Sequence, residues 1–146
     1  MNIKEKFLDI AVILLLYTIA TMLVFGFLDA ILGTFMPYEV SYMGVDETDI
    51  ESFNAELMEM ISGYIRILGF TFISFGIVLI IILFVGFRKK EKWAYILTLL
   101  AILSLDIPYL VVLSPFMDLP FILVLINLIV QAVAMVISFK EFFGKE

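Results

Sequence analysis

Residues 77–103 read IVLIIILFVGFRKKEKWAYILTLLAIL, two apolar runs joined by the charged pentapeptide Arg88-Lys-Lys-Glu-Lys92. Five residues leave room only for a tight turn, so the two runs must come back beside each other as antiparallel neighbours. Followed outward, the first run begins at Met60 and the second ends at Leu113. Each supplies the roughly 20 apolar residues that a helix needs to cross a bilayer. Two further runs, Phe7 to Phe35 and Leu119 to Phe139, do the same. The 146 residues are 64% hydrophobic and 16% charged, against about 45 to 50% apolar and 25% charged in an average globular chain. The expected fold is all-α: one integral membrane domain over residues 1–146, an antiparallel four-helix bundle with spans near 7–35, 60–87, 93–113 and 119–139.

Charge sets the expected threading. Of the nine basic residues, all but Arg66 fall in three places: Lys4 and Lys6 before the first run, Arg88, Lys89, Lys90 and Lys92 in the hairpin 88–92, and Lys140 and Lys145 after the fourth run. Basic residues flanking spans stay in the cytoplasm, so the hairpin and both termini are expected there, in a multipass protein of the cell membrane. The start of the chain resembles a signal peptide, but its apolar run is too long and lacks a small-residue cleavage site, so it is expected to be retained. The opposite side receives Glu39, Asp46, Glu47, Asp49, Glu51, Glu56, Glu59 and Asp118 and no Lys or Arg.

The outer segment 36–59 is the one stretch long enough for structure outside the bilayer. Thr48 and Glu51 stand in capping-box spacing, and Ile50, Phe53, Leu57, Ile61 and Tyr64 recur at helical intervals. This pattern predicts an amphipathic outer helix that starts near Asp49 and leads into the second span. A straight helix from Asp49 to Phe87 would be nearly 60 Å long, and Gly63 is the expected hinge. Phe53 and Leu57, with Glu51 and Glu56, form the expected partner surface. The acidic run 46–51 lacks the glycine and alternation of a calcium loop, so no metal is expected. It reads as a solvated acidic face that favours a helix N-terminus.

The basic-then-aromatic hairpin Phe87-Arg-Lys-Lys-Glu-Lys-Trp93-Ala-Tyr95, together with the helix count, resembles small four-helix prokaryotic membrane proteins, DoxX-like and uncharacterised families among them. The resemblance implies a four-helix membrane fold and carries over no functional residue. The turn Ser114 to Pro120 is expected to be closed by its two prolines.

Polar residues inside apolar helices are costly and mark the places any function would use. Helical phase puts Thr18, Gly26, Asp29 and Gly33 on one face of the first span and Ser62, Arg66, Gly69 and Gly76 on one face of the second. Tyr95, Asp106 and Tyr109 share a face of the third, and Asn127, Gln131, Ala134 and Ser138 share a face of the fourth. Counted from the basic ends, Asp29 and Arg66 both stand about 33 to 35 Å along their helices, and Asp106 and Asn127 about 20 Å. The expected pairs are therefore Asp29 with Arg66 and Asp106 with Asn127. Arg66 has a second option, reaching the headgroups through its long side chain.

With no Cys and no His, thiol and imidazole chemistry and the usual zinc and haem ligand sets are excluded. No nucleophile stands with a base and no glycine-rich phosphate loop follows a strand, so no catalytic residue and no cofactor are expected. The net charge of −6 with a short basic loop gives no ground for nucleic-acid binding and fits contact with anionic lipid. The leading expectation is a protein that acts by binding or association, as an accessory, assembly or structural subunit. Its partners would be membrane lipid and another membrane protein or a second copy of itself. The alternative is a carrier or channel for a proton, cation or small polar solute, using Asp106 and Asn127. A lipid-modifying membrane enzyme ranks third.

Overall fold

A computed structural model describes residues 3–114 and 119–144. Among these the protein is all-helical: α1 Ile3–Leu32, α2 Pro37–Met43, α3 Glu47–Phe53, α4 Ala55–Ile82 running into a π turn Leu83–Phe87, α5 Lys92–Leu113 and α6 Leu119–Phe143. Four segments, Lys6–Leu32, Ala55–Phe87, Lys92–Leu113 and Leu119–Phe143, are long and apolar enough to cross a membrane, as a multipass membrane protein requires. The expected proline turn falls on residues 115–118, outside the described residues.

The chain divides into two compact units, residues 1–20 with 77–146, and residues 21–76. In the first, Leu8, Ala11, Val12 and Leu15 of α1 are buried, as are Leu83 and Phe87 of the π turn, Ala94, Tyr95 and Ile102 of α5, and Ala134, Met135 and Phe142 of α6. α5 packs on α6 and on the π turn. The π turn is closed by Arg88 N–H donating to Leu83 O at 3.0 Å, and its Leu83, Gly86 and Phe87 are buried. Aromatic rings fill the basic end. The Phe142 ring centroid lies 4.7 Å from that of Phe87 and 5.0 Å from that of Tyr95, with Phe143 5.3 Å from Tyr95.

The second unit is shaped by backbone punctuation. Gly33 (φ 62°) ends α1 in the left-handed conformation that a helix C-terminus favours. Pro37 opens α2, where its missing N–H costs nothing, and Glu39 Oε2 accepts from Met36 N–H at 2.7 Å. Gly44 (φ 67°) ends α2. Asp46 then caps α3: its Oδ1 accepts from Asp49 N–H at 3.0 Å while Asp49 Oδ2 accepts from Asp46 N–H at 3.1 Å. The capping box is thus Asp46 with Asp49, two residues before the expected Thr48 with Glu51.

The outer helix also differs from expectation in its continuity. It breaks at Asn54 (φ −161°, ψ 106°), whose Oδ1 accepts from Leu57 N–H at 3.1 Å and so starts α4. A short amide side chain competes with the helix ladder in this way. Gly63, the expected hinge, sits within α4, whereas the interruption of the helix falls at Asn54. α2 was not expected, although Pro37, Glu39 and Gly44 are the start and stop signals that would have found it.

Exposed aliphatic side chains such as Ile31, Ile67, Val112 and Val136 occur on all four long helices. In a bilayer these are the lipid-facing surface.

Candidate functional site in the apolar helices

α5 and α6 run antiparallel, fixed by the Lys90 Nζ to Glu141 Oε2 ion pair at 2.7 Å and by Tyr95 Oη donating to Met135 O at 3.0 Å. Side chains lean toward the N-terminus of their own helix, so those of α5 lean toward the basic end and those of α6 away from it. Asp106 and Gln131 therefore lean toward each other, and the Gln131 amide is the side chain that faces the Asp106 carboxyl. Asn127, the expected partner, lies one turn nearer the start of α6 and is half-buried. Counting depth by Cα alone chose the wrong member of the same stripe.

Gln131 is 9% exposed, and its Oε1 has no hydrogen-bond partner among the described residues. It lines a cavity of about 20 Å³ with Thr18, Thr98, Leu15, Ile19, Leu79, Leu83 and Ile102. Both threonines are buried. Thr18 Oγ1 donates to Leu15 O at 2.9 Å and Thr98 Oγ1 donates to Ala94 O at 2.8 Å. Their hydroxyl protons are thereby committed to their own helices, which leaves oxygen lone pairs as the polar face of the cavity. Farther along α6, Ser138 is buried and bonds Ala134 O at 2.7 Å.

Asp29 and Arg66 are not an ion pair among the described residues. Arg66 packs instead on Gly33: a Cβ added there would overlap its Nε and would stand 2.8 Å from Ser62 Oγ. Glycine at position 33 thus serves twice, providing the left-handed C-terminus of α1 and the space that admits Arg66. One turn deeper the backbones approach closely. A Cβ at Gly69 would stand 2.6 Å from Gly26 O and 2.9 Å from Ala30 Cα, the small-residue contact typical of membrane helices.

α3 has no buried residue. Phe53 is 84% exposed, Glu51 and Glu56 are exposed, and Leu57 is half-buried. The segment is nevertheless ordered by hydrogen bonds. Phe35 N–H donates to Glu47 Oε1 at 2.7 Å, tying the start of α3 to the chain just beyond α1. The Asp46 carboxyl is held below its ordinary 3.8, first by the Thr48 hydroxyl at 2.6 Å and then by the Asp49 N–H.

No group of three or more Asp or Glu residues among the described residues is placed to hold a metal ion. Sequence reasoning found Asp106, Gln131 and Thr18 as polar residues in apolar helices but did not bring Thr18 to Gln131 and missed Thr98, because helical phase within one span says nothing about which residues of another span it meets. It also missed the ring cluster of Phe87, Tyr95 and Phe142, whose signal was Phe139, Phe142 and Phe143 at helical spacing beside the basic hairpin. Compared with protein-family models, curated proteins and solved structures, the chain matches none, so its site rests on its own geometry.

Proposed function

We propose that the protein is an antiparallel four-helix bundle of the cell membrane, with both termini in the cytoplasm, that acts by association as an accessory or assembly subunit. The observation that carries this reading is α3, an ordered helix with no fully buried residue that presents Phe53 among Asp49, Glu51 and Glu56. An apolar ring left 84% exposed on a helix whose ends are fixed by hydrogen bonds is organised for contact, since the ring gains little from the protein's own core. The acidic rim selects a partner with a basic surface around an apolar pocket, at the boundary between membrane and water. A photo-reactive residue at Phe53, irradiated in native membranes, is expected to give a discrete polypeptide adduct that is lost when Glu51 and Glu56 are both replaced by Lys. The same probe at Val78, an exposed position in α4, should label only lipid. Lipid adducts alone at both positions would overturn the reading, and an adduct with a second copy would make the association homo-oligomeric.

A second reading, a carrier for a proton, cation or small polar solute, is favoured by one observation: Asp106 faces an amide that lines a cavity. Gln131 takes the role first given to Asn127. Flux into vesicles that survives Asp106→Asn unchanged would remove this reading.

A further inference from the structure

The polar atoms that Thr18, Thr98 and Gln131 turn into the cavity beside Gln131 are acceptors. Thr18 Oγ1 and Thr98 Oγ1 have given their protons to Leu15 O and Ala94 O. The Gln131 amide turns one end to Asp106, and its Oε1 stays buried and unpartnered. A buried acceptor without a donor keeps its full desolvation penalty, and native interiors remove that penalty by hydrogen-bonding such groups to protein or to ordered water. The volume of about 20 Å³ exceeds the roughly 10 to 15 Å³ that one water needs. The occupant must therefore be a donor, and the space fits one of the size of water.

We infer that this cavity is a binding site for one water molecule that donates to Gln131 Oε1 and to a threonine hydroxyl oxygen, and that the amide links this water to Asp106. Charge decides between water and other small donors. Besides these three neutral oxygens the lining is Leu15, Ile19, Leu79, Leu83 and Ile102, which cannot solvate a cation, and a hard metal ion takes about six oxygens or more. The deepest acid of the chain is then one amide away from water rather than enclosed in hydrocarbon. This conclusion does not depend on the association reading, because α3 contributes nothing to the cavity.

The test is a structure of the wild-type protein in lipid, at a resolution that shows waters, in sodium chloride and again in ammonium chloride. The expected result is a density peak in both salts at roughly 2.7 to 3.2 Å from Gln131 Oε1 and from Thr18 or Thr98 Oγ1. No peak, or a peak seen only with ammonium, would overturn the assignment. Gln131→Leu should abolish the peak. Should that variant fail to fold, infrared spectra of the wild type supply the second measurement: a bound-water O–H stretch that shifts in water labelled with oxygen-18 and moves in Thr18→Val or in Thr98→Val. A spectrum with no such band would count against the site.

Discussion

Gly63 and Gly69 stand on the same helix and should answer the same substitution with opposite signs. Nothing lies within 4 Å of a Cβ at Gly63, whereas one at Gly69 meets the backbone of Gly26 and Ala30. Gly63→Ala should stabilise by up to about 1 kcal/mol through helix propensity, and Gly69→Ala should destabilise by about 1 to 3 kcal/mol through overpacking that backbone cannot relieve. Unfolding titrations in detergent would show both, and equal effects would refute the close contact. Asp46 gives a pH prediction at the same scale. A carboxyl held below 3.8 by the Thr48 hydroxyl stabilises the cap above that value, and the contribution is lost as pH falls through the depressed pKa. Carboxyl-carbon NMR should find the Asp46 titration below the ordinary range in the wild type and nearer 3.8 in Thr48→Val. The identity of such residues was legible because charge and glycine are rare in apolar helices. Their partners were not, since Gln131 rather than Asn127 reaches Asp106 only through the opposed lean of side chains on antiparallel helices.

At the scale of elements, the four long helices were legible because each needs only an unbroken apolar run. The outer segment was not, because Ile50, Phe53 and Leu57 keep helical spacing straight across Asn54, where the chain breaks. Periodicity reports which residues share a face and is blind to a cap that interrupts the ladder without shifting the phase. The break itself can be tested. Asn54→Ala removes the acceptor of Leu57 N–H and should cost about 0.5 to 2 kcal/mol, read as severalfold faster hydrogen exchange at Leu57. Asn54→Asp keeps a capping oxygen and should restore the slow rate. Unchanged exchange in Asn54→Ala would show that the side chain does not start α4.

For the whole molecule, the proposed threading makes a prediction that the sequence itself makes convenient, since the chain contains no cysteine. Lys89→Cys and Thr48→Cys each create one thiol at an exposed position, and neither touches the Lys90 to Glu141 ion pair. An impermeant thiol reagent added to intact cells should label Thr48→Cys and leave Lys89→Cys unlabelled until the membrane is opened. Labelling of Lys89→Cys from outside would reverse the orientation. The number of candidate spans followed from composition. What brings polar groups together did not, because apolar runs of similar hydrophobicity say nothing about which of them touch.

The π turn at Leu83–Phe87 has a genetic consequence. A π turn accommodates one residue more than the α-helical turn it replaces, so this segment reads as an inserted residue absorbed by a local widening. Loss of one codon here, Val85 being half exposed, would rewind the turn to α-helix and leave Leu83 and Phe87 three positions apart, still on one face. Loss of Leu99 from α5 offers no such reserve. It would rotate every residue on one side of the deletion by about 100° and turn Asp106 away from Gln131. In-frame single-residue deletions should therefore be tolerated at Val85 and not at Leu99, with the amount of folded protein in the membrane as the measure.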